Sequence, residues 1–112
     1  MKNIAVLISG GGSNLQSLID SVESGEIKAQ ISLVISSRED AYGLERARHH
    51  GIDAYCIQKR DFPEDEDFDK ALLDKLKEYE IDLVVLAGYL NILSPNIIAQ
   101  YENRIINIHP SL

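Results

Sequence analysis

An α/β domain with a doubly wound, mostly parallel sheet is the fold class that the sequence predicts, on two observations. Short apolar runs alternate with longer amphipathic ones, strand then helix, through five strands in 112 residues. The apolar runs are continuous, which marks strands covered on both faces. One domain spanning residues 1–112 is expected, because this length holds one core and not two.

Ile4-Ala5-Val6-Leu7-Ile8 is the first strand. Leu15, Leu18, Ile19 and Val22 follow at i, i+3, i+4 and i+7 and give a helix with one buried stripe, which Gly25 is placed to end. Ile31 to Ile35 is the second strand. Residues 41–50 form a weaker helix stopped by Gly51. Ala54 to Ile57 is a short third strand, in which Cys56 is a buried packing residue. Phe68, Leu72, Leu76 and Tyr79 share one face of a long helix. The acidic stretch 64–67 is its first turn, solvated and complementary to the helix dipole. Leu83 to Ala87 is the most apolar strand, and Ser94-Pro95 opens a further helix as N-cap and first-turn proline. Arg104 to His109 is the fifth strand. Only Pro110, Ser111 and Leu112 follow it, so one face of that strand lacks a covering helix. Membership of a longer domain is the expectation.

Net charge is −7, from 11 basic and 18 acidic side chains, which argues against a nucleic-acid-binding surface. The single Cys56 cannot close an internal disulfide and fits a reducing compartment. The apolar start is too short for a signal peptide and runs straight into glycine. No apolar run approaches the roughly 20 residues of a membrane span. A cytoplasmic protein with neither membrane nor nucleic-acid partners is expected.

Gly10-Gly11-Gly12 stands at the carboxyl end of the first strand. In a doubly wound sheet, ligands bind outside the carboxyl ends of the strands, where strand order reverses. Backbone without Cβ atoms turns sharply there and approaches a ligand closely. The following helix presents unpaired N–H groups and a partial positive charge, which together make an anion site, most often for phosphate. Ser13 and Asn14 can add a hydroxyl and an amide, or one of them can simply cap the helix. The turn is not the dinucleotide fingerprint, since Leu15 stands where a third glycine would be, and it lacks the Lys of a Walker loop. One phosphate group is a better guest than a diphosphate.

Asn107 and His109 share one face of the fifth strand with Ile105, while Ile106 and Ile108 face the other way. They lie about 6–7 Å apart on the same edge as the glycine turn. An imidazole can move protons near neutral pH, and an amide can donate to a developing oxyanion. A strand-end histidine bonded to a carbonyl is the plainer alternative. His49-His50 reads as a solvated helix end, with no second ligand pair at helical spacing, so no metal is expected. Tyr89 to Leu93, after Gly88, is either the apolar wall of a pocket or a covered connection.

Three stretches, LISGGGSNLQSLI (7–19), VVLAGYLNILSP (84–95) and NIHPSL (107–112), together resemble the phosphoribosylglycinamide formyltransferase family. GLERAR (43–48) also looks like that family. The Asn-x-His-Pro-Ser pattern is shared with methionyl-tRNA formyltransferase and formyltetrahydrofolate hydrolase, whereas the Gly-Ser-Asn turn points to the glycinamide ribonucleotide members. The resemblance implies a Rossmann-like, doubly wound sheet, here truncated after the fifth strand. It implies formyl transfer from 10-formyltetrahydrofolate to the amine of glycinamide ribonucleotide, in purine synthesis and without a metal. By the same resemblance Gly12, Ser13 and Asn14 hold the substrate phosphate. Asn107 and His109 match two of three catalytic residues, the third being an aspartate beyond Leu112. Leu86, Leu90, Ile92 and Leu93 match positions around the pterin. Asn91 belongs to that loop too but replaces an arginine found in many members. The chain resembles the N-terminal half of such an enzyme, so little or no transferase activity is expected of these 112 residues alone. A homodimer through the uncovered fifth strand is a further expectation.

Two other classes are distinguishable. An ATP-pyrophosphatase loop starts like Ser9-Gly10-Gly11 but needs Asp-Ser where this chain has Ser13-Asn14. A non-catalytic phosphate-ligand module would bind the ribonucleotide without turnover.

Overall fold

The computed structural model describes residues 1–108. Five strands, β1 (Lys2–Ile8), β2 (Ala29–Ser36), β3 (Asp53–Cys56), β4 (Leu83–Ala87) and β5 (Ile105–Ile108), form one sheet in the order β3-β2-β1-β4-β5. Every pairing is parallel. The chain lays strands outward on one side of β1, then crosses over and builds on the other, which is the doubly wound arrangement. Helices α1 (Ser13–Glu23), α2 (Tyr42–His49), α3 (Asp65–Glu78) and α4 (Pro95–Gln100) make the crossovers. A single 3₁₀ turn, Lys59–Asp61, precedes α3 and carries no apolar periodicity by which a sequence reading could find it.

Continuous apolar strands require cover on both faces, and the two cores supply it. Ala5, Leu7, Leu33, Ile35 and Val84 meet Phe68, Leu72 and Leu76 of α3 and Ile97 of α4 on one face. Ile4, Val6, Ile8, Ile31 and Val85 meet Leu15 and Ile19 of α1 and Leu44 and Ala47 of α2 on the other. Between Ile4 and Ala5 the register jumps from Ile31 to Leu33, so Ser32 is an extra residue that keeps Ile31 and Leu33 on opposite faces.

Helix ends follow local chemistry. Ser94 caps α4, its Oγ accepting from the Ile97 N–H at 3.3 Å, with Pro95 in the first turn. Asp65, Glu66 and Asp67 fill the first turn of α3. Gly25 and Gly51, with φ of 83° and 72°, stand just beyond α1 and α2. β1 and β2 run further than their apolar residues, to Lys2 and Ala29, because backbone pairing does not stop where apolar character does. β3 is shifted one residue earlier than Ala54 to Ile57 and is an edge strand, so Cys56 is half-buried rather than buried.

β5 is the other edge. Ile105 packs under the α3 and α4 layer and Ile108 touches the opposite core. Ile106, on the face covered elsewhere by α1 and α2, is 49% exposed. No helix among the described residues is long and apolar enough to cross a membrane.

Candidate active site

The reversal of strand order lies between β1 and β4, and the loops leaving their carboxyl ends flank it. Residues 9–12 follow β1, 37–41 follow β2, and 88–94 follow β4. Ser9 fastens all three. Its buried Oγ accepts from the Leu90 N–H at 2.8 Å and shares a hydrogen bond with Ser37 Oγ. The Ser37 N–H also donates to the Ile8 carbonyl at 3.0 Å.

The glycine turn ends in Gly12, the residue before α1, with φ of 79°. That left-handed conformation is costly for any residue with a Cβ. A Cβ here would also stand 2.8 Å from Gly43 Cα. Gly10 and Gly11 border open space, so crowding does not demand glycine there. Ser13 and Asn14 are the first two residues of α1, not its cap, and no side chain among the described residues caps this helix. The N–H groups of Gly11, Gly12, Ser13 and Asn14 find no acceptor among the described residues. Four unpaired donors on consecutive residues thus stand at the positive end of a helix dipole, on one exposed turn.

Helix α2 holds this turn from behind. Gly43 N–H donates to the Gly10 carbonyl at 3.2 Å, and Arg46 Nε donates to the Gly11 carbonyl at 2.7 Å. Arg46 Nη1 reaches Gln16 Oε1 of α1 at 3.3 Å, and its guanidinium lies 5.0 Å from the centre of the Tyr42 ring. A Cβ on Gly43 would collide with Ile8 Cδ1 and come within 3.3 Å of the Gly10 oxygen. Beside the turn is a concavity of about 290 Å³ bordered by Ser9, Gly10, Gly11, Arg38, Asp40 and Tyr42. Arg38 grips Asp40 there through two bonds of 3.0 Å and holds its carboxyl below the usual carboxylate range.

Asn107 lies on β5 in register with Leu86, which in turn pairs with Leu7 of β1. Two strand spacings, about 10 Å, thus separate it laterally from the strand that feeds the glycine turn. Its side chain is exposed and shares the face of Ile105. His109 lies outside the described residues. In the loop after β4, Leu90 and Ile92 are 76% and 88% exposed, Asn91 is half-buried, and Leu93 is buried in the core. Leu86 is half-buried against that same core. Tyr89 also packs there, and its hydroxyl is buried without a hydrogen-bond partner among the described residues; burial pushes the phenol up, with the neighbouring Asn91 amide opposing it.

Sequence reasoning assigns Ser9 no fastening role, only a place in a loop comparison, and it passes over the roles of Gly43 and Arg46. Gly43 and Arg46 lie in the quoted GLERAR stretch, and the only signal was that a helix carrying glycine in its first turn has that glycine for close approach. Elsewhere, His50 Nδ1 meets Glu23 Oε2 at 2.8 Å at the end of α2. Burial raises the Cys56 thiol, with Glu39 and Asp61 adding to it, which disfavours a nucleophilic thiolate. No cluster of three or more metal-ligating side chains occurs among the described residues.

Residues 2–112 match the formyl transferase family model. The chain is 47% identical to phosphoribosylglycinamide formyltransferase of Haemophilus influenzae over 112 residues, covering 100% of this chain and 53% of that protein. The enzyme of the same name from Escherichia coli is 46% identical over 110 residues, 98% of this chain and 52% of its own. Glycinamide ribonucleotide transformylase 1 from Symbiobacterium toebii superposes with a TM-score of 0.93 at 47% identity, over 100% of this chain and 53% of that one. The chain spans about half the length of the curated bacterial relatives it matches. With a family match over all but one of its residues, on this sheet order and with this turn at the strand reversal, the chain belongs to the formyl transferase family.

Proposed function

We propose that these 112 residues form the ribonucleotide-holding half of an enzyme that moves a formyl group from 10-formyltetrahydrofolate to the amine of glycinamide ribonucleotide. The observation that carries this reading is the open turn of four N–H donors on the edge that also carries Asn107. It is supported by 47% identity, along the whole chain, to a protein named for that reaction.

Gly12, Ser13 and Asn14 receive the substrate phosphate, and the ribose carries the amine across the edge toward Asn107. The amine nitrogen bonds to the formyl carbon as the bond from that carbon to the folate nitrogen breaks. Asn107 donates to the formyl oxygen as it gains negative charge. His109 helps carry the amine's surplus proton toward the departing nitrogen. Backbone groups around Leu86, Leu90, Asn91, Ile92 and Leu93 border the pterin, and exposed Leu90 and Ile92 give it an apolar wall. Asn91 stands where many members carry an arginine, so a charged side-chain contact at that position is no part of this reading. No metal takes part, the partners are these two small molecules, and the setting is the cytoplasm. The domain is completed by a second half, which brings the third catalytic residue.

Calorimetric titration with glycinamide ribonucleotide, alongside a formyl-transfer assay, tests this. Expected are ribonucleotide binding competed by inorganic phosphate, and turnover only when the 112 residues are joined to the second half that the relatives have. Turnover by the 112 residues at the rate of a whole relative refutes the division of labour. Absence of ribonucleotide binding refutes the reading itself.

A further inference from the structure

A phosphate-binding turn works only if its peptide groups face the right way. The Gly10-Gly11 and Gly11-Gly12 peptides are planar and trans, so each carbonyl points opposite to the N–H of the same unit. The Gly10 carbonyl is taken by the Gly43 N–H, and the Gly11 carbonyl by Arg46 Nε. Both carbonyls are therefore turned toward α2, and the N–H groups of Gly11 and Gly12 are turned away from it. Without those two donors the glycine peptides, with no side chains to hinder them, rotate freely. A flipped peptide would present a carbonyl oxygen to the anion and repel it.

From this geometry we propose that Arg46 is a positioning residue for the phosphate site, a role that rests on the function proposed above. Its donor is the one that fixes the Gly11-Gly12 peptide, the unit that ends on the residue before α1. Gln16 and Tyr42 hold the guanidinium in place, the first by a hydrogen bond and the second by its ring face. Its charge also remains at the rear of the turn and adds to the attraction for an anion. Arg46 does not touch the phosphate. It sets the direction of the amides that do.

The test is titration of the wild-type chain and of Arg46→Ala and Arg46→Lys with inorganic phosphate and with glycinamide ribonucleotide, read by calorimetry and by backbone amide chemical shifts. In the wild type, phosphate is expected to shift the amides of Gly11, Gly12, Ser13 and Asn14 together. Arg46→Ala is expected to weaken both ligands about tenfold, the scale of one lost charge-assisted hydrogen bond, and to remove the Gly11 and Gly12 shifts. Arg46→Lys is expected to recover part of the affinity, since a lysine can reach one carbonyl without the planar fork. In the enzyme joined to its second half, Arg46→Ala should raise KM for the ribonucleotide and leave KM for the folate unchanged. A merely structural role would lower stability without this split. If the wild type binds neither ligand, the functional reading fails. If it binds and Arg46→Ala binds equally well, with the Gly11 and Gly12 shifts intact, the role of Arg46 is refuted and the function stands. If Arg46→Ala does not fold, the lysine variant and the wild-type shifts decide: unchanged affinity in Arg46→Lys with no shift at Gly12 also overturns the proposal.

Discussion

Gly43 is the residue on which the turn leans, and it is the sharpest place to disturb it. Alanine there places a methyl group against Ile8 Cδ1 and close to the Gly10 oxygen. The Gly10 oxygen is held by its hydrogen bond, and the fully buried Ile8 side chain must turn within a filled core to make room. Gly43→Ala should cost about 1–3 kcal/mol, the range for overpacking a filled core, and should weaken phosphate binding at the same time. Denaturant unfolding and phosphate titration of one sample check both; a variant as stable as the wild type would show that α2 moves away easily. At this scale the sequence was legible where a residue's chemistry is visible by itself. The three glycines and the Asn107 amide announce themselves, but Ser9 looks like an ordinary turn serine. Only the fold brings it within 2.8 Å of the Leu90 N–H, 81 positions away in the chain.

At the scale of elements, the strands and helices were readable because their apolar spacing and caps are local properties. The 3₁₀ turn and the exact strand ends were not, since pairing with a neighbour decides them. Two elements carry testable chemistry. At the C-terminus of α3, the Tyr79 hydroxyl donates to Asp53 Oδ2 of β3 at 2.6 Å and bonds the Tyr55 hydroxyl at 2.7 Å. The Asp53 carboxylate, and Tyr55 after it, raise this phenol well above its ordinary 10.0. A folded-state pKa above the unfolded one gives stability that is whole below the unfolded value and lost as pH rises through the folded one. Between pH 9 and pH 11 the wild type should lose more stability than Tyr79→Phe, as measured by denaturant midpoints. In the loop after β4, Tyr89 buries a hydroxyl that no described residue satisfies. Tyr89→Phe removes the desolvated group and should be neutral or stabilising by up to about 1 kcal/mol; a destabilised variant would mean that the hydroxyl finds a partner in solution.

For the whole molecule, the sheet order was legible only in outline. Repeated βα units imply a parallel sheet, but which strand lies at the centre depends on pairings between distant segments. β5 is an edge of the sheet among the described residues, and its half-exposed Ile106 leaves an apolar face there. Such a face favours self-association. Sedimentation of the 112-residue chain should therefore give a mass that rises with concentration, and Ile106→Ser should reduce that rise; a monomer at all concentrations would rule it out. The central place of β1 has a consequence for how the protein is made. Its first neighbour, β2, leaves the ribosome soon after it, but its second, β4, begins only at Leu83. At about 10 residues per second, residues 57–87 take roughly three seconds to appear. Through that interval a three-stranded intermediate would leave bare the edge of β1 that β4 later covers, so slow translation or a rare-codon pause before Leu83 should favour aggregation of the nascent chain.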